Sequence, residues 1–273
     1  GTAEFDDIVV TDLTTYPLTV GSAGTGTGLV TSSPEGISCG ATCSAEFTPG
    51  TVVTLTATAV GDSVFDGWSG EGCSGTGACV VTMDAAKSVT ASWTLIHYPL
   101  PFVEDFETGT DLWTEKSGVW SIISDGTEVY SQTSTSVTAR TYTGSYAWSD
   151  YALTARVKPT GGQYAMLMAR YQDERNYYFM ALRSDNGKIE LKKMYNGGSG
   201  SALKGVAAGI TAGQWYTPTL EVVGTSIRCY LNGSLVISVT DTTVSAPYMT
   251  GRIGLGTMNS SAAFDDVLVT SLV

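Results

Sequence analysis

The sequence predicts an all-β protein on three observations. Short runs rich in Val, Thr, Tyr and Ile recur along the chain, as in TVVTLTATA, YAMLMARY and KIELKKMY, and Gly, Asn, Asp and Ser separate them. No window of helical length keeps an apolar stripe at a spacing of about 3.6 residues. Asn186-Gly187 and Asn232-Gly233 each lie between two such runs, and Asn-Gly favours the type I′ turn of tight hairpins.

Length, composition and charge set the limits of what this chain can be. Its 273 residues are 42% hydrophobic and 15% charged, which suits one large or two ordinary domains with packed cores. The net charge is −12, and up to residue 99 ten acidic residues face a single basic one. Neither half offers the basic field that nucleic acid needs, and no apolar run reaches the roughly 18 residues of a membrane helix. We expect neither a nucleic acid nor a membrane partner.

The cysteines indicate the compartment. Four of the five form two close pairs, Cys39 with Cys43 and Cys73 with Cys79. Zinc is the competing interpretation, but the spacings are CxxxC and CxxxxxC in Gly-rich and Ser-rich loops, and the only histidine, His97, lies far away. We therefore predict two local disulfides and a secreted or cell-surface, extracellular location. Cys229, in the strand-like run IRCYLNG, is expected to be a buried free thiol.

An internal repeat and a proline-containing break divide the chain. EFDDIVVTDL at residues 4–13 matches AFDDVLVTSL at residues 263–272 at six of ten positions. The second copy closes the C-terminal module, so residues 1–13 are predicted to be the orphan closing strand of a preceding module. The alternative is that this strand pairs with an exposed edge of this chain or of another copy. TLIHYPLP holds two prolines without alternation, so residues 95–101 are predicted to be a linker.

Residues 14–94 resemble a known repeat domain. The elements LTV, GTVVTLTA, FDGWSG, the paired cysteines and VTMDAAKSVTASW follow one another between Tyr16 and Trp93. This order is similar to that of the divergent InlB-type B-repeat domains of secreted and surface proteins of bacteria. The resemblance implies a small β-rich spacer without catalysis. Trp68 and Trp93 are expected to be core aromatics rather than sugar platforms, since small cores depend on a few large side chains.

Residues 102–273 resemble a second family. FVEDFETGTDLW, YALTARVKP, YAMLMARYQDERNYYFMALR, TGRIGLGT and FDDVLVTSL follow in the order of the concanavalin A-like or laminin-G-like jelly rolls. More narrowly, they look like the carbohydrate-binding modules attached to bacterial pectate lyases and other polysaccharide-degrading enzymes. The resemblance implies an antiparallel β-sandwich. Such sandwiches host lectins, lyases, hydrolases and adhesion domains, so the function must be argued from the site.

Catalysis has little support in the sequence. Glycoside hydrolysis needs two carboxylates facing one groove, but Glu104 and Glu107 stand at odd spacing, which places them on opposite faces of a regular strand. His97 lies in the predicted linker, so no Ser-His-Asp or Cys-His arrangement is available elsewhere. Chemistry by Tyr and Arg stays open. We expect a module that is not an enzyme.

Sugar binding has better support between residues 170 and 193. Six of the 13 basic residues of this module lie there among tyrosines, and aromatic faces with Arg or Lys forks are suited to sugar rings, hydroxyls and carboxylates. A two-residue turn at Asn186-Gly187 would place Tyr178 opposite Tyr195, and Arg183 opposite Glu190. The predicted carbohydrate-binding residues are Arg170, Asp173, Asn176, Tyr178, Arg183, Lys193 and Tyr195.

Alternatives to this site were open at several positions. Arg183 and Glu190 suit an ordinary cross-strand pair, the lysines a solvated face and the tyrosines a core. Asp173 and Asn176 are either hydroxyl acceptors or turn-formers. Trp148 and Trp215 are expected in the core rather than at a sugar surface.

Acidic residues at the two ends of the second module suggest calcium. The first and last strands of such sandwiches typically pair, which would gather oxygen ligands suited to a hard cation, and jelly rolls of the resembled kind often hold structural calcium at this junction. The alternative is that these carboxylates end strands or protect edges. The predicted ligands are Glu104, Asp105, Glu107, Asp265 and Asp266.

Together these features predict a non-catalytic, carbohydrate-binding fragment of a secreted bacterial multimodular protein that degrades polysaccharides. Its partners would be the other modules of the parent chain and a plant or algal polysaccharide or oligosaccharide, with the basic and aromatic residues favouring an acidic polymer such as pectin or alginate. Two other classes remain. A surface adhesion module would recognise protein, and a catalytic jelly roll would cleave its polymer.

Overall fold

The computed structural model describes residues 14–39, 43–96, 98–198, 201–243 and 246–272. In these ranges the chain forms strands, turns and loops without helix, which confirms the all-β prediction, and it therefore holds no helix able to cross a membrane. The chain divides between residues 97 and 98 into two compact units, called here unit 1 and unit 2. The predicted orphan strand at residues 1–13 lies outside the described residues.

Unit 1 is built from two four-stranded sheets. One has the strand order β4-β1-β8-β6, with β1 and β8 parallel, and the other has the order β3-β2-β5-β7. Trp68 and Trp93 are buried in its core, as predicted, and the disulfides Cys39–Cys43 and Cys73–Cys79 are both present. The strands are β1 (Tyr16–Gly24), β2 (Gly28–Ser33), β3 (Ser38–Cys39), β4 (Ser44–Phe47), β5 (Val52–Ala59), β6 (Ser63–Ser69), β7 (Cys79–Thr82) and β8 (Lys87–Leu95).

Unit 2 is a two-layered antiparallel sandwich. Cys229 is a free, buried thiol within it, as expected, and burial raises the pKa of that thiol. The strands are β9 (Phe102–Glu104), β10 (Thr114–Ser117), β11 (Trp120–Ser124), β12 (Glu128–Gln132), β13 (Thr138–Thr143), β14 (Tyr151–Asp173), β15 (Asn176–Arg183), β16 (Lys188–Met194), β17 (Ser201–Ala207), β18 (Pro218–Val223), β19 (Ser226–Leu231), β20 (Ser234–Thr240) and β21 (Arg252–Ser271).

Two long strands, β14 and β21, run antiparallel to each other and belong to both layers. One layer, called here the front sheet, has the order β10-β13-β21-β14-β15-β16-β17. In the other layer the first part of β14 pairs with β18, which continues to β19 and β20, while the last part of β21 pairs with β9. Gly162 lies where the long strands change layers, and a Cβ there would come 2.1 Å from the Asn259 carbonyl oxygen, so glycine is required.

The front sheet is apolar on both faces. Its inner face packs on the core between the layers, through Tyr178, Met180 and Leu182. Its outer face carries a second buried cluster, which explains why β14 and β15 read as nearly continuous apolar runs rather than alternating ones. The outer cluster consists of Tyr164, Met166, Met168, Tyr171, Tyr177, Phe179, Ala181 and Met194.

The predicted linker is shorter in the structure than in the sequence analysis. Leu95 ends strand β8, while Tyr98 and Leu100 pack against the core of unit 2. The reason is that both side chains are large and apolar, and their burial outweighs the local irregularity around the prolines. As expected, the first and last strands of unit 2 pair, with Phe102 opposite Val269.

One of the two predicted tight hairpins has a longer turn. Asn232 and Gly233 both have positive φ in a two-residue turn between β19 and β20, as predicted. Between β15 and β16, however, Arg183 pairs with Lys188, so the turn has four residues and Gly187 alone takes the left-handed conformation. Tyr178 consequently lies opposite Lys193 instead of Tyr195. Because side chains alternate with a period of two, this two-residue shift leaves every side chain on its predicted face.

Candidate functional site

The face on which the sequence analysis placed the sugar site is the inner one. Tyr178 and Lys193 lie on the same face, as the sequence predicted, but both are buried under the second layer. Lys193 Nζ is 2.8 Å from Asp241 Oδ2 and 3.0 Å from Thr243 Oγ1, and the Tyr178 hydroxyl also donates to Asp241. This correction has a simple cause: alternation shows which residues share a face, while only long-range pairing decides which face is covered.

Arg170 is also an interior residue, with 0% of its surface exposed. Its guanidinium donates to the carbonyl oxygens of Ser149, Gly224 and Tyr248 and to Asp150 Oδ1, at 3.0 Å for the carboxylate. All five N–H donors are therefore used within the protein, and the predicted contact with a sugar has no donor left. Arg170 takes a positive φ of 49° at a bulge of β14, which turns its side chain inward.

The other predicted binding residues lie at the ends of strands β14, β15 and β16. Arg183 bonds to Asp185 at 2.6 Å and to Glu190 at 2.8 Å, and it packs 4.7 Å from the ring centroid of Tyr164. Asp173 Oδ1 accepts from the Arg175 amide at 2.7 Å and from Asn176 Nδ2 at 2.9 Å, which makes both Asp173 and Asn176 turn-formers. The Tyr195 side chain is 50% exposed just beyond β16.

The outer face of the front sheet holds a cleft of about 470 Å³. It lies where β13, β14 and β21 run side by side, at the end closed by the turn between β14 and β15. A volume in this range suits a small ligand. The cleft is called here the tyrosine cleft, and its lining residues are Lys116, Tyr142, Tyr146, Tyr171, Gln172, Asp173, Glu174, Arg175 and Arg252.

Arg252 is held between aromatic rings at the centre of the tyrosine cleft. Its guanidinium carbon lies 3.8 Å from the ring centroid of Tyr142 and 4.1 Å from that of Tyr146, and Nη2 donates to the Tyr146 hydroxyl at 2.6 Å. Tyr142 stacks on Tyr171 with centroids 5.1 Å apart. Guanidinium groups stack favourably on aromatic faces, so this arrangement fixes the plane of the Arg252 fork in advance of any ligand.

Two polar atoms in the wall of the tyrosine cleft have no hydrogen-bond partner among the described residues. They are the Tyr171 hydroxyl and Arg252 Nε. Both atoms are shielded from solvent, so a ligand in the cleft would reach them only if neighbouring side chains moved. Burial raises the pKa of Tyr171, more than the nearby Arg140 lowers it, and the phenol therefore keeps its proton at neutral pH.

Most residues of this site were missed by the sequence analysis. Tyr171 belonged to the predicted basic and aromatic segment, but Arg140, Tyr142 and Tyr146 come from the stretch TARTYTGSY, and Arg252 starts the last strand. The alternation of Arg140 and Tyr142 in one strand was a usable signal. Nothing local in the sequence indicates that β13 lies beside β21, about 110 residues away, because that pairing is a long-range one.

The acidic residues at the ends of unit 2 are engaged by the protein. Glu104 Oε1 accepts from the Phe106 amide at 3.0 Å, and Glu107 Oε1 accepts from the Glu128 amide at 3.0 Å. The described residues contain no group of three or more metal-ligating side chains. The remaining contacts are those of Asp105 with the Glu107 amide, and of Asp265 and Asp266 with Arg156 at 3.1 and 3.4 Å.

These carboxylates are bonded to side chains and amides of the protein itself. Arg156 supplies a positive charge to Asp265 and Asp266, and Glu104 is turned toward the Trp113 indole, which donates to it at 3.3 Å. Glu107 and Asp265 accept hydrogen bonds from two adjacent residues, Glu128 and Thr127. Calcium therefore stays a prediction from the sequence.

The fold and the cleft define unit 2 as a jelly-roll domain with a cleft on the outer face of its front sheet. Both units match known family models. The model of the 3-keto-alpha-glucoside-1,2-lyase-like domain matches residues 101–270, and that of the divergent InlB B-repeat domain matches residues 16–97. The chain belongs to the 3-keto-alpha-glucoside-1,2-lyase-like family. The match over residues 16–97 confirms the predicted resemblance of unit 1 to a B-repeat. No curated protein sequence matches the chain.

Solved structures share the fold of unit 2. The carbohydrate-binding module CBM66 from Bacillus subtilis is 22% identical, with a TM-score of 0.52 over 59% of this chain and 96% of that module. A protein of unknown function with a galectin-like fold from Bacillus subtilis is 13% identical, with a TM-score of 0.51 over 62% and 94%. The Crh5 transglycosylase in complex with NAG is 11% identical, with a TM-score of 0.50 over 64% and 85%. These similarities confirm the jelly-roll fold.

Proposed function

We propose that unit 2 is a non-catalytic module that binds a plant or algal polysaccharide in the tyrosine cleft. The observation that carries this proposal is the cleft itself, in which the Arg252 guanidinium packs on Tyr142 and Tyr146, and Tyr142 stacks on Tyr171. Tyrosine faces pack on the apolar C–H face of a pyranose, while fixed N–H and O–H groups bind its hydroxyls. The CBM66 fold and the transglycosylase fold support a carbohydrate as the class of ligand.

The role of such a module is to raise the local concentration of substrate. A catalytic domain elsewhere in the parent chain would be kept near its polymer, and modest affinity would be increased by further modules in the same chain. Unit 1 would act as the spacer, stapled by its two disulfides. Disulfides of this kind persist in oxidising compartments, which supports a secreted or cell-surface location.

The name of the family favours a second candidate function, the elimination chemistry of a 1,2-lyase on a 3-keto glucoside. A ketone at C3 acidifies the proton at C2, so such an enzyme needs a base in the cleft. Tyr171 is protonated, and Asp173 is held by its own turn, which leaves Glu174 as the candidate base. If the parent chain releases the leaving group of a 3-keto glucoside and Glu174→Gln abolishes that release, elimination replaces binding as the function.

The proposed function is tested by retention on a polysaccharide panel in affinity gels. Tyr142→Ala should weaken retention about tenfold or more, because it removes both a stacking face and the support of Arg252. Tyr195→Ala is the matched control, since that half-exposed tyrosine lies outside the cleft, and it should leave retention unchanged. Loss of retention in Tyr195→Ala alone would contradict the assigned site. Failure to retain any glycan would contradict the proposal and favour protein adhesion or simple spacing.

Structural calcium at the junction of β9 and β21 is proposed from the sequence alone. If calcium binds, millimolar calcium should raise the unfolding temperature of unit 2, and a chelator should lower it. The free energy of unfolding should increase by roughly 2.7 kcal/mol when the calcium concentration is 100 times the dissociation constant. Glu107→Gln should abolish the response, whereas Glu46→Gln in unit 1 is the control for charge. Identical melting curves with calcium and chelator would show that Arg156 and protein donors stabilise this junction without a metal.

A further inference from the structure

Two cations from different strands line the tyrosine cleft, and a third lies beside it on the outer face of the front sheet. Lys116 from β10 lies over Tyr142, Arg140 from β13 packs over Tyr177, and Arg252 from β21 lies between its two rings. None of the three is within ion-pair distance of a described carboxylate, whereas eight other basic residues of the chain are. Six of the 14 basic residues have no ion pair with a described carboxylate, and three of these six, Lys116, Arg175 and Arg252, line the tyrosine cleft.

The hydrogen-bonding groups of this corner are donors. Lys116 contributes an exposed ammonium, and the partly exposed Arg252 contributes its guanidinium. Arg140 Nε donates to the Tyr177 hydroxyl at 3.0 Å, which fixes its guanidinium against the outer cluster. A ligand that satisfies these groups must bring acceptors and negative charge.

The turn between β14 and β15 adds acceptors to the cleft. Asp173 and Glu174 line it together with Arg175, and the Asp173 carboxylate accepts from the Arg175 amide and from Asn176 Nδ2. Carboxylates are good acceptors for sugar hydroxyls but repel an anionic group. The cleft therefore offers donors for an anionic group and acceptors for hydroxyls.

We propose that the ligand of the tyrosine cleft is an acidic polysaccharide of uronic acid units, whose carboxylate is bound by Arg252 and Lys116. This inference rests on the proposed function. A planar guanidinium matches a planar carboxylate, and the two rings that clamp Arg252 set the plane in which the acid must lie. Asp173 and Glu174 then bind the ring hydroxyls of the same unit. Since the rest of the surface repels a polyanion, binding is local and weakens with salt.

Calorimetric titration of the whole chain with matched polymers tests this inference. The probes are polygalacturonate, its methyl ester, alginate, a neutral galactan and a sulfated galactan. We expect a uronic acid polymer to bind about 10- to 100-fold more tightly than the ester or the neutral polymer. This ratio of affinities corresponds to the free energy of one charge-assisted hydrogen bond. Added salt should reduce this preference.

Two variants assign the preference to the cleft. Lys116→Ala removes an exposed side chain and should lower affinity for the acidic polymers while leaving the unfolding temperature unchanged. Lys204→Ala, an exposed lysine on β17, makes the same charge change outside the cleft and should bind as the parent does. Arg252→Lys keeps the charge without the planar fork, and it should lose most of the discrimination between acid and ester.

The outcomes separate this inference from the proposed function. Equal affinity for the acid, the ester and the neutral polymer would overturn the inference and leave sugar binding intact. Preference for the sulfated polymer would also overturn it, because the anion would then be a sulfate ester. Binding to none of the five polymers would overturn both.

Discussion

Replacement of Arg170 by alanine should destabilise unit 2 by about 3–5 kcal/mol, because it leaves a cavity and several buried acceptors without their donor. The guanidinium joins residues from three parts of the chain, the Ser149–Asp150 turn, Gly224 and Tyr248, so its removal breaks hydrogen bonds to all three. For a unit of this size the loss corresponds to a fall of about 10 °C in unfolding temperature.

Scanning calorimetry of the whole chain measures this effect. Arg175→Ala is the matched control, since it removes an exposed arginine from the neighbouring turn and should change stability by less than about 0.5 kcal/mol. An unchanged unfolding temperature in Arg170→Ala, together with lost glycan retention, would return Arg170 to the role of a ligand contact.

The buried pair of Lys193 and Asp241 should make the stability of unit 2 depend on acid pH. Burial on its own would raise the pKa of Asp241, but hydrogen bonds from Lys193, Thr243 and Tyr178 outweigh it and lower that pKa to about 2. The folded value lies below the unfolded value of about 3.9, so the stabilisation is complete above that value and is lost as the pH falls through 2. The amount at stake is on the order of 2 kcal/mol.

Denaturant unfolding at a series of pH values between 5 and 2 measures this term. Asp241→Asn cannot ionise, so the part of the pH dependence that belongs to Asp241 should be missing from its profile. The variant should also be less stable at neutral pH by about 3–5 kcal/mol, since a buried lysine loses its carboxylate partner. Parallel pH profiles of the parent and the variant would show that this pair does not hold unit 2 together.

The two buried basic residues, Lys193 and Arg170, show what the segment after β20 does. Lys193 Nζ donates to the Ala246 carbonyl at 3.0 Å, and Arg170 donates to the Tyr248 carbonyl at 2.7 Å. The Tyr248 hydroxyl in turn donates to Asn176 Oδ1 at 3.1 Å, in the turn that closes the tyrosine cleft. The basic residues that the sequence analysis assigned to the ligand thus fix the rim of the cleft from behind.

The sequence predicted local structure well where local chemistry decides it. Alternation identified the strands, Asn232-Gly233 gave its two-residue turn, and the close cysteine pairs gave the disulfides. The common face of Tyr178 and Lys193 was also right, because the parity of a strand survives a register shift of two. Each of these features depends on residues that are neighbours in the chain or across one turn.

The location of the site could not be predicted in the same way. Whether the face of Tyr178 or that of Tyr177 is open depends on where β18–β20 cover the front sheet, and that follows from the pairing of β14 with β18. The tyrosine cleft joins Tyr142 and Arg252, which are brought together only by the antiparallel pairing of β13 with β21. Side chains with aromatic and cationic character occur on both faces, so composition alone does not distinguish them.

The central claim, that sugar binds on the outer face of the front sheet, is tested most directly by mapping amide chemical-shift changes on titration with an oligogalacturonide. We predict that the shifts concentrate around Tyr142, Tyr146, Tyr171 and Arg252, and that β18–β20 remain unaffected. Shifts that concentrate on β18–β20 or in unit 1, with the tyrosine cleft unperturbed, would contradict the account.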